Sequence, residues 1–176
     1  MQNQLQTLIA AATFAAHKHR DQRRKGAEAS PYINHPLSVA DVLANEGGVE
    51  DLTTLVAALL HDTIEDTQTT AEEIAARFGA EAAAVVMEFT DDKRLDKSER
   101  KRRQVLHAAT ISHRAQLVKL ADKICNLRDL VSSPPADWPL ARRREYFEWS
   151  RAVIDQLRPA NPRLAAVFDA AYARKP

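Results

Sequence analysis

Residues 59–67, Leu59-Leu60-His61-Asp62-Thr63-Ile64-Glu65-Asp66-Thr67, place a histidine and three acids directly after an apolar run, Leu55 to Leu60. An apolar run favours burial, and a buried carboxylate is costly unless it is paired or bound to a metal. If the run is helical and continues through the acids, His61 and Glu65 stack one turn apart, as do Asp62 and Asp66. The stretch then offers two metal ligands and two candidate bases, which points to a metal-dependent hydrolase.

A His-Asp pair alone is common. A second segment, residues 116–131 (QLVKLADKICNLRDLV), carries Leu117, Leu120, Ala121, Ile124, Leu127 and Val131 at helical spacing. Lys119, Asp122, Asn126 and Asp129 form a polar stripe beside that face. A solvated face is the ordinary alternative, but next to the His-Asp segment Asp122 reads better as a ligand. A third segment is Pro31-Tyr32-Ile33-Asn34-His35-Pro36-Leu37. Pro36 suits the first turn of a helix, with His35 at or just before the cap. The apolar positions Leu37, Val39, Ala40, Leu43 and Ala44 follow. A lone histidine at a helix start is usually a capping or surface residue. Three segments able to converge on one cation make His35, His61, Asp62 and Asp122 a coherent set.

The remainder of the chain reads as helix. It has 4 glycines in 176 residues and no sustained alternation of the strand kind. Helices are expected at Gln4–Arg20, Pro36–Asn45, Asp51–Asp62, Thr70–Arg77, Ala80–Phe89, Lys97–Ala108, His113–Ser132, Arg142–Arg158 and Pro162–Ala173. Thr70 and Glu73 fit a capping box, Gly79 a stop signal, and Asn161-Pro162 a helix start. Loops are expected at 24–33, 45–50, 90–96 and 132–137. The length fits one domain, 1–176, with one substantial core.

Hydrophobic residues make up 45% and charged residues 28%, with a net charge of +1, as in an ordinary soluble protein. Any basic site must therefore be local. A pI of about 7.9 and no recognisable motif give a nucleic-acid role little support. The single Cys125 excludes an intrachain disulfide and a cysteine-rich zinc site, and reads as a packing residue. No signal peptide or membrane-length apolar run is visible, so a cytoplasmic protein without a membrane partner is expected.

The order YINHP, LLHDTIEDT, LVKLADKICNLRDL resembles the HD-domain hydrolases of the RelA/SpoT-homologue alarmone enzymes, and more narrowly the stand-alone small alarmone hydrolases. The likeness runs from about Leu8 to about Leu157. It takes in HRDQRRKG before the first histidine, FTDDK after the HD segment and REYFEW near the end. The resemblance implies an all-α multi-helix HD-domain bundle with a central metal. It implies His35, His61, Asp62 and Asp122 as ligands of one divalent ion, and Mn²⁺ as that ion. Ligand type alone, two imidazoles and two carboxylates without thiolate, leaves Mn²⁺, Fe²⁺, Zn²⁺ and Mg²⁺ open. Glu65 and Asp66 are the implied catalytic acids; N-capping of the next helix is the alternative for Asp66.

Arg24 and Lys25 are implied to line the nucleotide pocket, Asn126 to contact the nucleoside and Tyr146 the substrate; Lys119 is a further candidate. Arg20 and Arg23 share the basic run and are either substrate contacts or solvated. The second run, Arg100 to Arg103, alternates with acids and reads as solvated. His17, His19, His107 and His113 have no partners in the ligand set. The expected reaction is removal of the 3′-pyrophosphate of ppGpp or pppGpp to leave GDP or GTP. The alternatives are another phosphohydrolase activity, such as NADPH 2′-phosphatase, and a non-catalytic nucleotide-binding module. The sequence leaves the oligomeric state open.

Overall fold

The computed structural model describes residues 3–176, and its secondary structure is helical, with no strand among the described residues. The elements are α1 (Gln4–Lys18), α2 (Asn34–Asp41), a π turn (Val42–Glu46), α3 (Leu52–Leu60), α4 (Thr63–Asp66), α5 (Ala71–Phe78) and α6 (Ala80–Met87). They continue with α7 (Lys97–His107), α8 (His113–Ser132), α9 (Leu140–Ile154) and α10 (Pro162–Tyr172); short 3₁₀ turns follow α7 and α9.

Helix α8 is the axis of the bundle. It packs on α2, α3, α6, α9 and α10, and its residues from Leu117 to Cys125 are all buried. A helix surrounded on most sides must be apolar almost all round. Lys119, Asp122 and Lys123 break that rule in its middle, so this is where chemistry is to be sought. Helix α3 supplies the opposing wall with Val56, Ala57, Ala58, Leu59 and Leu60. One apolar cluster joins these two helices to α1, α2, α6, α9 and α10.

Local side chains set the boundaries. Asp51, Thr70, Asp96, Ser112 and Asn161 each accept a backbone N–H in the first turn of the following helix. The capping box expected at Thr70 is half formed. Thr70 accepts the Glu73 N–H, but the Glu73 carboxylate turns instead to Lys18 Nζ at 2.8 Å. Gly79, at φ 96°, closes α5 and opens α6, a conformation that favours glycine.

Helix α3 stops two residues before the expected end. His61 Nδ1 meets the Ala58 carbonyl at 2.8 Å and Thr63 Oγ1 donates to the Leu60 carbonyl at 2.7 Å. These side chains compete with the backbone for the last carbonyls. His61 and Asp62 thus occupy a turn, and His61 and Glu65 do not stack along one continuous helix. Helix α2 begins at Asn34, so His35 lies within its first turn rather than at the cap. Val39, Val42 and Leu43 are buried at helical spacing through the start of the π turn, whereas Leu37 and Ala44, counted on the apolar face from the sequence, are exposed. Helix α9 ends at Ile154 rather than Arg158, and a 3₁₀ turn from Arg158 to Ala160, with Pro159 in its first turn, follows it.

Candidate metal centre and nucleotide cavity

Four side-chain atoms from three elements meet between α2, α3 and α8. His35 Nε2 lies 3.1 Å from Asp122 Oδ1 and 3.9 Å from Asp62 Oδ2. His61 Nε2 lies 2.9 Å from Asp62 Oδ2 and 3.9 Å from Asp122 Oδ1. Ligands of one octahedral ion at ~2.1 Å lie about 3.0 Å apart when adjacent and ~4.2 Å when opposite. These four distances fall close to that range; the ligand atoms of His35, His61 and Asp62 all lie within 4.8 Å of one another, a group that leaves Asp122 out although it is near both imidazoles.

The donor set passes a second test. His61 Nε2 is buried and makes no hydrogen bond, despite the carboxylate beside it. A buried polar atom without a partner is costly, and a cation at this point removes the cost. The contact of His61 Nδ1 with the Ala58 carbonyl favours a proton on that nitrogen, which leaves Nε2 free to ligate. Burial works against charge throughout the cluster. The Asp62 carboxylate more than offsets it for His61, whose pKa rises to about 9, so a cation ligated through Nε2 takes the place of a proton there. Neighbouring His61 holds Asp62 below the usual carboxylate range against its own burial, and Lys123 does the same for Asp122. Burial leaves His35 with a lowered pKa.

Two residues that sequence reasoning left without a role hold this cluster. The Tyr32 hydroxyl donates to Asp62 Oδ2 at 2.5 Å, and its ring sits edge-on to His35 and against His19. Lys123 Nζ lies 3.1 Å from Asp122 Oδ2 and 4.4 Å from the centroid of the Trp149 ring. Asn126 donates to Asp122 Oδ1 at 2.7 Å and accepts from Arg24 Nη2 at 2.9 Å. It thus links the expected ligand set to the expected nucleotide pocket.

That pocket is a cavity of about 410 Å³ whose wall includes Arg24, Lys25, Asn126, Tyr146, Tyr32 and Asp66. Tyr32 and Asn126 both line it and each hydrogen-bonds a cluster carboxylate, so the cluster lies one side chain behind the wall. Arg24 is fixed by Asp129 at 2.7 Å and lies 5.6 Å from the centroid of the Tyr32 ring. Lys119 departs from its expected place: it is buried, lies 4.7 Å from the Phe89 ring centroid and lines no described cavity. Arg23 is at the cavity wall and bonds the carbonyls of Arg20 and Gln22, whereas Arg20 points to solvent beside Asp21.

The two candidate acids flank this arrangement. Burial raises the pKa of Glu65; its Oε2 accepts the Asp91 N–H at 3.4 Å, and Arg100 Nη1 lies 4.0 Å from its Oε1. Asp66 accepts from Gln22 at 3.1 Å. It caps no helix, since Thr70 caps α5, so the capping alternative falls. The run 100–103 is also not uniformly solvated. Arg102 and Arg103 pair with Glu99 at the surface, but Arg100 and Lys101 line a second cleft. Cys125 is buried, as a packing residue should be. His19 is buried, while His17, His107 and His113 are exposed.

The HD domain family matches residues 11–146. The guanosine-3′,5′-bis(diphosphate) 3′-pyrophosphohydrolase MESH1 of Xenopus tropicalis is 53% identical over 162 residues, 92% of this chain and 90% of that protein. The Homo sapiens MESH1 is 54% identical over 157 residues, 89% of this chain and 88% of that protein. A solved structure of a metazoan orthologue of SpoT, which hydrolyses ppGpp and plays a role in starvation responses, superposes with a TM-score of 0.91. It is 44% identical and covers 95% of this chain and 94% of its own. The chain belongs to the HD domain family.

Proposed function

We propose that this chain is a guanosine-3′,5′-bis(diphosphate) 3′-pyrophosphohydrolase, releasing pyrophosphate from ppGpp or pppGpp and leaving GDP or GTP. The observation that carries the reading is the cluster of His35, His61, Asp62 and Asp122, with two acids, behind a nucleotide-sized cavity whose wall carries Arg23, Arg24 and Lys25 beside Glu28, Asp66 and Asp129. The likeness to hydrolases of the same named activity, over nearly the whole length of both chains, supports it.

His35, His61, Asp62 and Asp122 would hold one divalent ion, which we take to be Mn²⁺. A bound ion of this kind polarises a phosphoryl oxygen and lowers the pKa of a coordinated water. Glu65 and Asp66 orient the attacking water, and Glu65 takes its proton. The oxygen adds to the phosphorus on the ribose 3′ oxygen, and the bond from phosphorus to that oxygen breaks. The ribose oxygen regains a proton, and pyrophosphate leaves with the added oxygen. General-base help of this kind contributes ~10²- to 10⁴-fold.

Arg24, held by Asp129 and Asn126, presents a planar face and fork to the nucleotide. Asn126 and Tyr146 contact the nucleoside from the same wall, and Lys25 meets phosphate. Lys119 is kept as a charge near the site rather than a substrate contact. Residues 1–176 act as one domain on a small-molecule nucleotide. Among the described residues no helix is long and apolar enough to cross a membrane. The cytoplasm is the compartment this reading implies.

Turnover of ppGpp by the Mn²⁺-loaded protein, with products separated chromatographically, tests the proposal. GDP and pyrophosphate in equal amounts are expected, with loss of turnover on chelation and recovery with Mn²⁺. Full activity after chelation, or orthophosphate as the released product, overturns it.

A further inference from the structure

His19 is buried, with 2% of its surface exposed, and takes no part in the donor cluster. It is the C-cap of α1, and Gln22, three residues on, stands at the wall of the nucleotide cavity. The Gln22 N–H donates to the His19 carbonyl at 2.9 Å, and the Gln22 carbonyl accepts the Tyr32 N–H at 3.1 Å. Both backbone groups of Gln22 are thus tied down. Its side chain bridges two others: Oε1 lies 2.6 Å from His19 Nδ1, and Nε2 donates to Asp66 Oδ2 at 3.1 Å.

The polarity of this chain of groups is set from the Asp66 end. An ionised carboxylate only accepts, so the Gln22 amide must turn its NH₂ to Asp66 and its oxygen to His19. That oxygen also only accepts, so His19 must carry a proton on Nδ1. A neutral imidazole has one N–H, which leaves Nε2 with a lone pair. His19 Nε2 is buried without a hydrogen-bond partner. A buried acceptor without a partner is costly, and a ring present only for packing would not incur that cost. The Tyr32 ring lies against the imidazole, with centroids 4.8 Å and planes 31° apart, and limits its rotation.

The other Asp66 oxygen has a different neighbour: Lys93 Nζ lies 3.6 Å from Oδ1. Lys93 is 57% exposed, and a lysine supplies a point charge on a flexible stem, hence charge with little direction. The planar Gln22 amide, fixed at its backbone and at His19, supplies the direction. We propose that His19 and Gln22 are positioning residues for Asp66, acting as one relay. His19 decides which end of the Gln22 amide faces Asp66, and Gln22 holds the carboxylate toward the attacking water. The catalytic consequence rests on the function proposed above. The polarity of the relay does not.

Nitrogen NMR of the imidazoles in the Zn²⁺-loaded protein, which is diamagnetic, reads the proton position directly. A proton on His19 Nδ1 is expected; a bare Nδ1 overturns the relay, whether or not the protein turns over ppGpp. Kinetics with ppGpp at saturating Mn²⁺ test the consequence. Gln22→Met should lower kcat about tenfold, with KM and metal affinity little changed. That is the lower end for a hydrogen bond to a charged group, because the Asp66 side chain is 31% exposed. His19→Phe keeps a ring without the N–H and should cost as much. His19→Asn keeps an N–H near the same place and should restore most of the rate. The double variant His19→Phe with Gln22→Met should be no slower than either single variant, since members of one hydrogen-bond chain are not additive. Additive losses overturn the proposal. So does a rise in KM alone, which makes Gln22 a substrate contact, or a loss of metal affinity alone, which makes His19 a support for Tyr32.

Discussion

Tyr32→Phe removes one hydroxyl and tests whether the cluster is built to hold a cation. The hydroxyl donates to Asp62 Oδ2 at 2.5 Å. Burial, and then the Asp62 charge, push the phenol pKa far up, so Tyr32 remains a donor across the working range. A hydrogen bond to an ionised carboxylate contributes ~1.5–3 kcal/mol, or about 10- to 100-fold at ~1.4 kcal/mol per factor of ten. The Asp62 side chain is 22% exposed, so water recovers part of the loss. The expected cost is therefore at the lower end, about 10- to 30-fold in metal affinity, within the span usual for groups that orient metal ligands. Competitive titration with a fluorescent chelator reads the affinity, and kcat at saturating Mn²⁺ should change little. Unchanged metal affinity would refute the role of Tyr32. A loss of kcat at saturating metal, with affinity intact, would instead place its hydroxyl on the substrate.

Asp122→Asn should abolish tight metal binding while circular dichroism stays helical; a variant that still binds the ion tightly contradicts the ligand assignment. Glu65→Gln should lower kcat by ~10²-fold or more with metal content retained. Because burial raises the Glu65 pKa, wild-type rate should climb with pH through a value above the usual 4.5, and the variant should lose that limb. Lys119 offers a stability test: burial, and then the charge of Lys123, depress its pKa from 10.5 to about 8. Its charge therefore opposes folding below about pH 8, and the cost is relieved as pH rises from there toward 10.5. Lys119→Met should stabilise the protein at pH 7 by roughly 3 kcal/mol at most, at ~1.4 kcal/mol per pH unit; denaturant melts that show no gain refute this.

Much of the fold could be read from periodicity. Helix α8 was legible from end to end because its apolar residues recur over 20 positions and Ser112 caps it. Boundaries near the site were not. His61 and Thr63 take carbonyls from α3, an event that leaves no periodic trace. The convergence of His35, His61-Asp62 and Asp122 was legible because each stands against apolar surroundings. Tyr32 lay in a segment already singled out, but its role depends on a hydroxyl reaching Asp62 thirty positions away. Lys123 was hidden by resembling any surface lysine beside an acid.

The most direct measurement is kcat/KM for ppGpp and for NADPH under one Mn²⁺ concentration, with products identified. Alarmones present a diphosphate on the ribose 3′ oxygen, whereas NADPH carries a single 2′-phosphate. Each additional charged hydrogen bond contributes ~1.5–3 kcal/mol, about tenfold to a hundredfold in kcat/KM. The account predicts that ppGpp is preferred, that pyrophosphate is released, and that Arg24→Ala impairs turnover while metal stays bound. Preference for NADPH, or release of only orthophosphate from ppGpp, would contradict it.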